Sequence, residues 1–294
     1  MAKQAAAWTI EATAKNVHTI TFPNVAAGWE QWILLRGDAH HDNAKSDNVF
    51  EYQHLKEAVR RKAIIIDVGD VFDAMQSPAD RRQSKNELKE EHKRVNYFDT
   101  LIDTAVRDYT TYAKQFAVIG LGNHETAVIN QHGINLVDHL SKGLRQAGGV
   151  VQAGGYGGWV RFNAVVNKTQ RYSIHLKYFH GSGGGGPVTR GVISTNRQAV
   201  YLPDADIVVN GHTHDQYVVP IQRERLSHKG NVIQDTVWHV RTGTYKDEYG
   251  DGSEGWAVEK GHAPKPIGAV WLRMAFVSGH DDKRIIVEPT LSVR

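Results

Sequence analysis

Apolar and polar positions follow one another along this chain in blocks, and the blocks change period. At the start, "WTIEATAKNVHTITFP" alternates closely enough to predict a pair of short strands. "QWILLRGDAHHD" then reads as a buried strand ending at Arg36 and Gly37, and "AIIIDVGDVFD" as a second. Between them "SDNVFEYQHLKEAVRRK" has helical spacing. Ser46 or Asp47 could cap it, and Phe50, Leu55, Ala58 and Val59 give an approximate apolar face. Phe98, Leu101, Ile102, Ala105, Val106 and Tyr109 repeat as a helix, followed by the strand "FAVIGLGNHE". "INLVDHLSKGLRQAGG" reads as a helix stopped by its glycine pair. "VVQAGG" and "WVRFNAVV" suggest a hairpin around "GGYGG". "YSIHLKYFHG" and "ADIVVNGHTH" are strands again. Beyond about residue 215 strands dominate, with "VWHVRTG", "AVWLRMAFV" and "RIIVEPTLSV" interrupted by the loop "YGDGSEGWAVEKGHAPKP". The order predicts an α/β fold with more than one sheet and helices on the outer faces. No segment resembles a linker, so one domain over residues 1–294 is expected.

Composition changes this picture little. Hydrophobic residues make up 40% and charged residues 23% of 294 residues, as in an ordinary globular protein. The formal net charge of +3 is too balanced to imply a polyanion partner by its bulk field, although a local basic patch would survive that argument. With no cysteine there is no disulfide framework and no thiolate metal site. No apolar run is long enough to span a membrane, and "MAKQAAAWTIEATAK" lacks the apolar stretch of a signal peptide. No membrane partner is expected, and the cytoplasm is the default location.

Candidate chemistry lies where the apolar runs stop. Five of them end in polar clusters of one kind: "GDAHHD", "GDVFD", "GLGNHE", "FHG" and "NGHTH". In α/β sheets ligands gather beyond the carboxyl ends of strands, so five such ends imply one convergent site. Carboxylates that close to a core cost free energy unless they are paired or hold a cation. Imidazole and carboxylate without thiolate suit zinc, iron, manganese, cobalt or nickel. Asp38, His40, Asp70, Asn123, His180, His212 and His214 are too many ligands for one tetrahedral ion. They suffice for two ions if one carboxylate bridges, the usual clamp for displacement at phosphorus.

In this order, "D-x-H", "GD-x-x-D", "GNH-E", a lone His and "GH-x-H" resemble the calcineurin-like metallophosphoesterases, over roughly residues 36–215. The resemblance implies a four-layer α/β/β/α sandwich of two mixed sheets with a dinuclear site between loops. Asp38, His40 and His214 would hold one divalent ion, and Asn123, His180 and His212 the other, with Asp70 bridging. The ions could be manganese, iron, zinc or nickel. His124 would act as general acid or transition-state stabiliser, and Asp73 would orient it by accepting its other ring proton. A metal-bound hydroxide would be the nucleophile. Serine/threonine phosphatases of the family carry arginines where this chain has Ala74 and Leu121. Their absence argues against a protein phosphatase, since a dianionic monoester is best gripped by bidentate guanidinium. "GDVFD" followed by "SP" is similar to the phosphodiesterase and nuclease branches, and the wider pattern also resembles calcineurin-like proteins of bacteriophages, which would place it in a host cytoplasm.

The leading expectation is therefore a phosphodiesterase or nuclease, acting on nucleic acid or a nucleotide diester. The alternative is a phosphomonoesterase on nucleotides or other small molecules, and a non-catalytic scaffold is the third reading. Outside the ligand set, His41, Asp42 and Asp67 could equally support the site or be solvated, and Glu125 reads as a structural acceptor. The mixed charges from Arg81 to Arg94 read as a solvated helix face rather than a substrate patch. "HGSGGGGPVTRG", with Arg190 or Arg197, could cradle phosphate or form a lid. Tyr156, Trp159 and Trp256 could stack a nucleobase, although core packing is the commoner use of such side chains.

Overall fold

The computed structural model describes residues 7–75, 87–184, 191–227, 229–253, 256–279 and 283–294. Ser77 and Pro78, Gly185, Gly186 and Arg190, and the side chain of Trp256, each singled out above, lie outside the described residues.

The chain opens with β1 (Thr9–Ala14), β2 (Val17–Val25) and β3 (Glu30–Arg36), then α1 (Asn48–Arg60) and β4 (Ile64–Asp67). It continues through α2 (Tyr97–Tyr109), β5 (Phe116–Ile119), α3 (Asn123–His132), α4 (Leu136–Gln146) and β6 (Gln152–Ala153). β7 (Gly157–Val166) and β8 (Gln170–Phe179) form a hairpin, followed by α5 (Val192–Tyr201) and β9 (Ile207–Asn210). Last come β10 (Gln216–Leu226), β11 (Val232–Thr242), β12 (Gly268–Ser278) and β13 (Lys283–Val293). They assemble into a seven-stranded sheet, β1-β2-β7-β8-β9-β11-β10, and a six-stranded sheet, β13-β12-β3-β4-β5-β6.

The apolar runs explain the stacking. Successive side chains on a strand point to opposite faces, so an unbroken apolar run feeds two cores. Ile33 and Leu35 of β3, Ile64 and Ile66 of β4 and Val118 of β5 pack between the sheets against Phe162, Leu176, Ile207 and Val209. Leu34, Ile65 and Phe116 face the other way, into a core shared with Leu55, Leu101, Ala105, Val128, Leu140 and Leu144 of α1 to α4. On the far side, α5 covers the outer face of the seven-stranded sheet, where its Thr195 hydroxyl lies 3.0 Å from that of Tyr217. The result is the expected α/β/β/α order of layers with mixed sheets.

Three local expectations need correction. "GGYGG" is not a hairpin turn: β6 pairs with β5 in one sheet and β7 with β2 and β8 in the other, so the segment crosses between sheets. Its glycines clear the Tyr178 ring, whose hydroxyl would sit 2.3 Å from a Cβ at Gly154 and 2.5 Å from one at Gly158. The buried face of α1 is Glu51, His54, Leu55 and Ala58, with Val59 outside it. Glu51 turns inward because Arg36, fully buried, reaches it at 2.8 Å and Asp67 at 2.6 Å. The described part of the mixed-charge stretch forms a β-bridge from Leu88 to Asn43 and a 3₁₀ turn, Glu90–His92, and Lys89 between them reaches the His41 carbonyl at 2.6 Å. Asp47 caps α1 as expected, accepting from the Phe50 N–H at 2.9 Å.

His54 sits against the Tyr245 hydroxyl at 2.7 Å and the Ser292 hydroxyl at 2.8 Å. Burial, helped by the Arg36 charge, pushes its imidazole down to about 4, and burial does the same to His239. The unfolded chain therefore binds more protons than the native one between pH 4 and about 6.5, so stability falls as pH drops through that window and levels off below it for these two groups. Thermal melting across that range should show His54→Gln with a shallower pH dependence than the parent. Parallel curves would show that His54 titrates alike in the folded and unfolded chains.

Candidate metal centre

β3, β4 and β5 run parallel, as do β8 and β9, so the loops after them emerge at one edge of the sandwich. Main-chain hydrogen bonds join neighbouring loops: Asp38 N–H to the Gly69 carbonyl (2.9 Å), His40 N–H to that of Asp70 (3.0 Å), and Gly211 N–H to that of His180 (2.7 Å). Nine non-glycine residues have left-handed φ among those described, and five of them are candidate ligands: Asp38, His40, Asp70, His212 and His214. That conformation is costly away from glycine and persists where surrounding contacts overdetermine it. Two glycines make room for the carboxylates. A Cβ on Gly122 would lie 2.0 Å from Asp70 Oδ1, and one on Gly211 2.4 Å from Asp38 Oδ2.

Side chains from all five loops meet. Asp38, His40 and His214 present ligand atoms within 4.8 Å of one another; so do His40, Asp70 and His124, and so do Asp70, His180 and His212. His40 Nε2 and His214 Nε2 are 3.3 Å apart, with Asp38 Oδ1 3.5 Å from the latter. Asn123 Oδ1 lies 3.1 Å from His180 Nε2 and 2.7 Å from His212 Nδ1. Asp70 Oδ2 is 3.2 Å from His180 Nε2 and 3.7 Å from His124 Nε2. The seven expected ligands thus form one cluster with Asp70 between its two halves.

The proton count shows what the cluster fits. His180 Nδ1 faces the Val68 carbonyl at 3.1 Å, which can only accept, so Nδ1 carries the proton of the neutral ring. Its Nε2 lone pair then confronts oxygens of Asp70 and Asn123 with nothing positive between them. Burial opposes protonation of His180, yet the Asp70 and Asp38 charges raise it to about 9, so a proton fills the gap. Asp70 is held well below the usual carboxylate range against its own burial, chiefly by the charges of His124 and His180. A divalent cation fits the same converging lone pairs, displacing the proton.

Other carboxylates shape the loops. Glu125 accepts from the N–H groups of Gly122 (2.8 Å), Asp70 (3.1 Å) and Phe72 (2.9 Å), a structural acceptor joining two motifs. Asp42 accepts from the N–H groups of Asp73 (2.6 Å) and Ala74 (3.0 Å). His41 and Asp67 belong to the buried Arg36 network: His41 bridges Glu51 and Asp108, each at 3.1 Å. Asp73 does accept from His124 Nδ1, but with its main-chain carbonyl. Its carboxylate instead lies 3.0 Å from both His40 Nδ1 and Lys246 Nζ. Lys246 and Glu248 at the site were not anticipated. Their signal was a further strand ending in glycine and charge, "VWHVRTGTYKDE". Arg241 was missed too; it clamps the "GHTH" loop, donating to the Gly211 carbonyl and the Thr213 hydroxyl, both at 2.8 Å.

Of the aromatic candidates, Tyr156 stands edge-on to His180, ring centroids 5.4 Å apart, and donates to the Gly181 carbonyl at 2.7 Å. Trp159 packs instead toward Ala205, Val208 and Val237 on the outer face of the seven-stranded sheet. Arg197 is exposed on α5.

No family model and no curated protein matches the sequence. Solved structures are similar in shape. Vacuolar Protein Sorting 29 from Cryptosporidium parvum is 13% identical with a TM-score of 0.38, over 90% of this chain and all of that one. The calcineurin-like phosphoesterase YfkN from Bacillus subtilis is 10% identical with a TM-score of 0.38, over 90% of each chain. A metallophosphoesterase from Sphaerobacter thermophilus is 14% identical with a TM-score of 0.34, again over 90% of each. The chain is similar to calcineurin-like phosphoesterases. At these identities and scores the likeness is remote, and the chemistry rests on the side chains described above.

Gly122→Ala drives a methyl group into the Asp70 carboxylate and main-chain nitrogen, so manganese affinity measured by equilibrium dialysis should fall at least about tenfold, together with a clear loss of melting temperature. Asp70→Asn should likewise weaken manganese binding. Wild-type affinity in Gly122→Ala would mean that Asp70 is not a ligand.

Proposed function

We propose that this protein is a metal-dependent phosphoesterase with two divalent ions, and that it cleaves phosphodiesters, in a nucleic acid or a nucleotide, in preference to monoesters. One observation carries the metal reading: three overlapping groups of ligand atoms, drawn from five loops, share Asp70 and His40. Asp38, His40, Asp70 and His214 would hold one ion and Asp70, Asn123, His180 and His212 the other. When bound, such ions supply Lewis acidity toward phosphoryl oxygens and lower the pKa of coordinated water.

The chain's own residues handle the leaving group. Because the Asp73 carbonyl can only accept, His124 Nδ1 keeps its proton, and Nε2 is left as the nitrogen that faces Asp70 and the cluster. A proton on Nε2 is thereby placed for transfer to the departing ester oxygen, while the Nδ1 contact fixes the ring's tautomer and tilt.

Preference for a diester follows from the charge around the cluster. Ala74 and Leu121 stand where guanidinium groups would grip a dianion. Lys246 is already surrounded by Asp73 (3.0 Å), Glu248 (3.1 Å) and Glu87 (3.6 Å). Arg241 is turned to the Gly211 carbonyl. Lys246 is thus neutralised by its acids and Arg241 spends Nη1 on the loop, which favours a singly charged diester over a doubly charged monoester.

With manganese, the purified protein should hydrolyse bis-p-nitrophenyl phosphate or single-stranded DNA with higher kcat/KM than p-nitrophenyl phosphate. Turnover of the monoester alone would refute the diester preference. His124→Ala should keep both ions, counted by elemental analysis, and lose about 10²- to 10⁴-fold in kcat. Undiminished turnover would remove His124 from the reaction.

A further inference from the structure

The two halves of the cluster are backed differently. In one half, His180 turns its Nδ1 to a neutral main-chain carbonyl, that of Val68. In the other, His40 and His214 bring their Nε2 atoms to 3.3 Å and turn their Nδ1 edges outward, toward carboxylates. Asp73 Oδ1 stands 3.0 Å from His40 Nδ1, and Glu248 Oε2 4.0 Å from His214 Nδ1. A single ammonium joins those carboxylates: Lys246 Nζ lies 3.0 Å from Asp73 Oδ1 and 3.1 Å from Glu248 Oε1, with its side chain only 4% exposed.

We propose that Lys246 is a positioning residue for one ion of the pair. It holds the Asp73 and Glu248 carboxylates behind His40 and His214 so that both rings direct Nε2 inward, together with Asp38. Imidazoles that bind metal are commonly oriented through the far ring nitrogen in this way, and losing such an outer partner costs about 10- to 100-fold in metal affinity. Here one ammonium stands behind both rings, through a 3.0 Å contact of Asp73 to His40 and a looser, 4.0 Å ion-pair contact of Glu248 to His214. Lys246 N–H is itself fixed by the Thr244 hydroxyl at 3.0 Å, and that hydroxyl donates to the Asp38 carbonyl at 2.8 Å. Anchor and ligand loop are therefore tied through a single threonine.

This assignment rests on the metal reading of the same site, and its sign separates positioning from charge. Removing an ammonium near a cation site would, by Coulomb's law alone, tighten cation binding. Removing an anchor weakens it, at one ion only.

The test is manganese binding to the full chain by equilibrium dialysis, with circular dichroism as the check on folding. Wild type should bind two ions. Lys246→Met should bind one with unchanged affinity and the other about 10- to 100-fold more weakly, and Lys246→Arg, which keeps the charge and donors, should recover most of the loss. Equal or tighter binding of both ions in Lys246→Met overturns the proposal. Should that variant fail to fold with three carboxylates left around an empty place, Lys246→Gln, which removes the charge but keeps an amide donor, is decisive: it must weaken one ion and spare the other, and equal or tighter binding of both overturns the proposal. A wild type that binds no manganese would instead refute the metal reading itself.

Discussion

Lone pairs that converge with too few protons between them are the constraint on which this molecule turns. Asp38, Asp70, Asn123 and four imidazoles crowd oxygen and nitrogen atoms to separations near 3 Å, where neutral acceptors repel. Left alone, the arrangement recruits a proton onto His180. A divalent cation would satisfy the same donors, and the surrounding fold holds them from relaxing apart.

The backbone resists that relaxation at three levels. Parallel strands deliver the loops to one edge, adjacent loops exchange main-chain hydrogen bonds, and the Glu125 and Asp42 carboxylates each bind amide groups of the loop over residues 70–74 from another motif. Left-handed conformations at five of the candidate ligands follow from this, because each loop must reverse within a residue or two to aim its side chain inward. Beneath them lies the Arg36 network, in which full burial of one guanidinium is offset by Asp67, Glu51 and the Tyr109 ring and hydroxyl. A buried ion pair of this kind contributes little net stability, but losing one partner leaves an uncompensated charge in the core. His41 connects this network to the ligand next to it in sequence.

Much of this was legible in the chain. Continuous apolar runs announce strands buried on both faces, and β3, β4, β5 and β9 fall where "WILL", "AIII", "FAVI" and "IVVN" stand. The candidate cluster was readable because its members sit just past such runs, five of the seven directly beside a glycine and His40 and His214 two residues further on. What the pattern hid was long-range. Glu51 and His54 look like solvent-facing polar residues of α1 until Arg36 and Tyr245 are placed opposite them. "GGYGG" has the composition of a hairpin turn, and only the pairing of β6 and β7 with different partners shows that it changes sheets. α5 carries little apolar periodicity, because polar Thr195 and Gln198 make up its buried face. Lys246 escaped notice because its signal, one more strand ending in glycine and charge, has no histidine in the cluster after the glycine and lacks the acids Asp73 and Glu87 that meet it from other loops.

The strand order has a consequence for how the chain comes to be folded. β3, whose end carries Asp38 and His40, lies between β4 and β12 in its sheet, and β12 begins only at Gly268. During synthesis, that central strand leaves the ribosome with one edge open until most of the polypeptide has followed. Closing so large a loop is entropically slow, and an apolar edge left waiting invites pairing with other nascent chains. The pairing of β12 along β3 is therefore the contact of widest sequence separation beside the cluster, and the one whose closure must wait for the chain's last fifth.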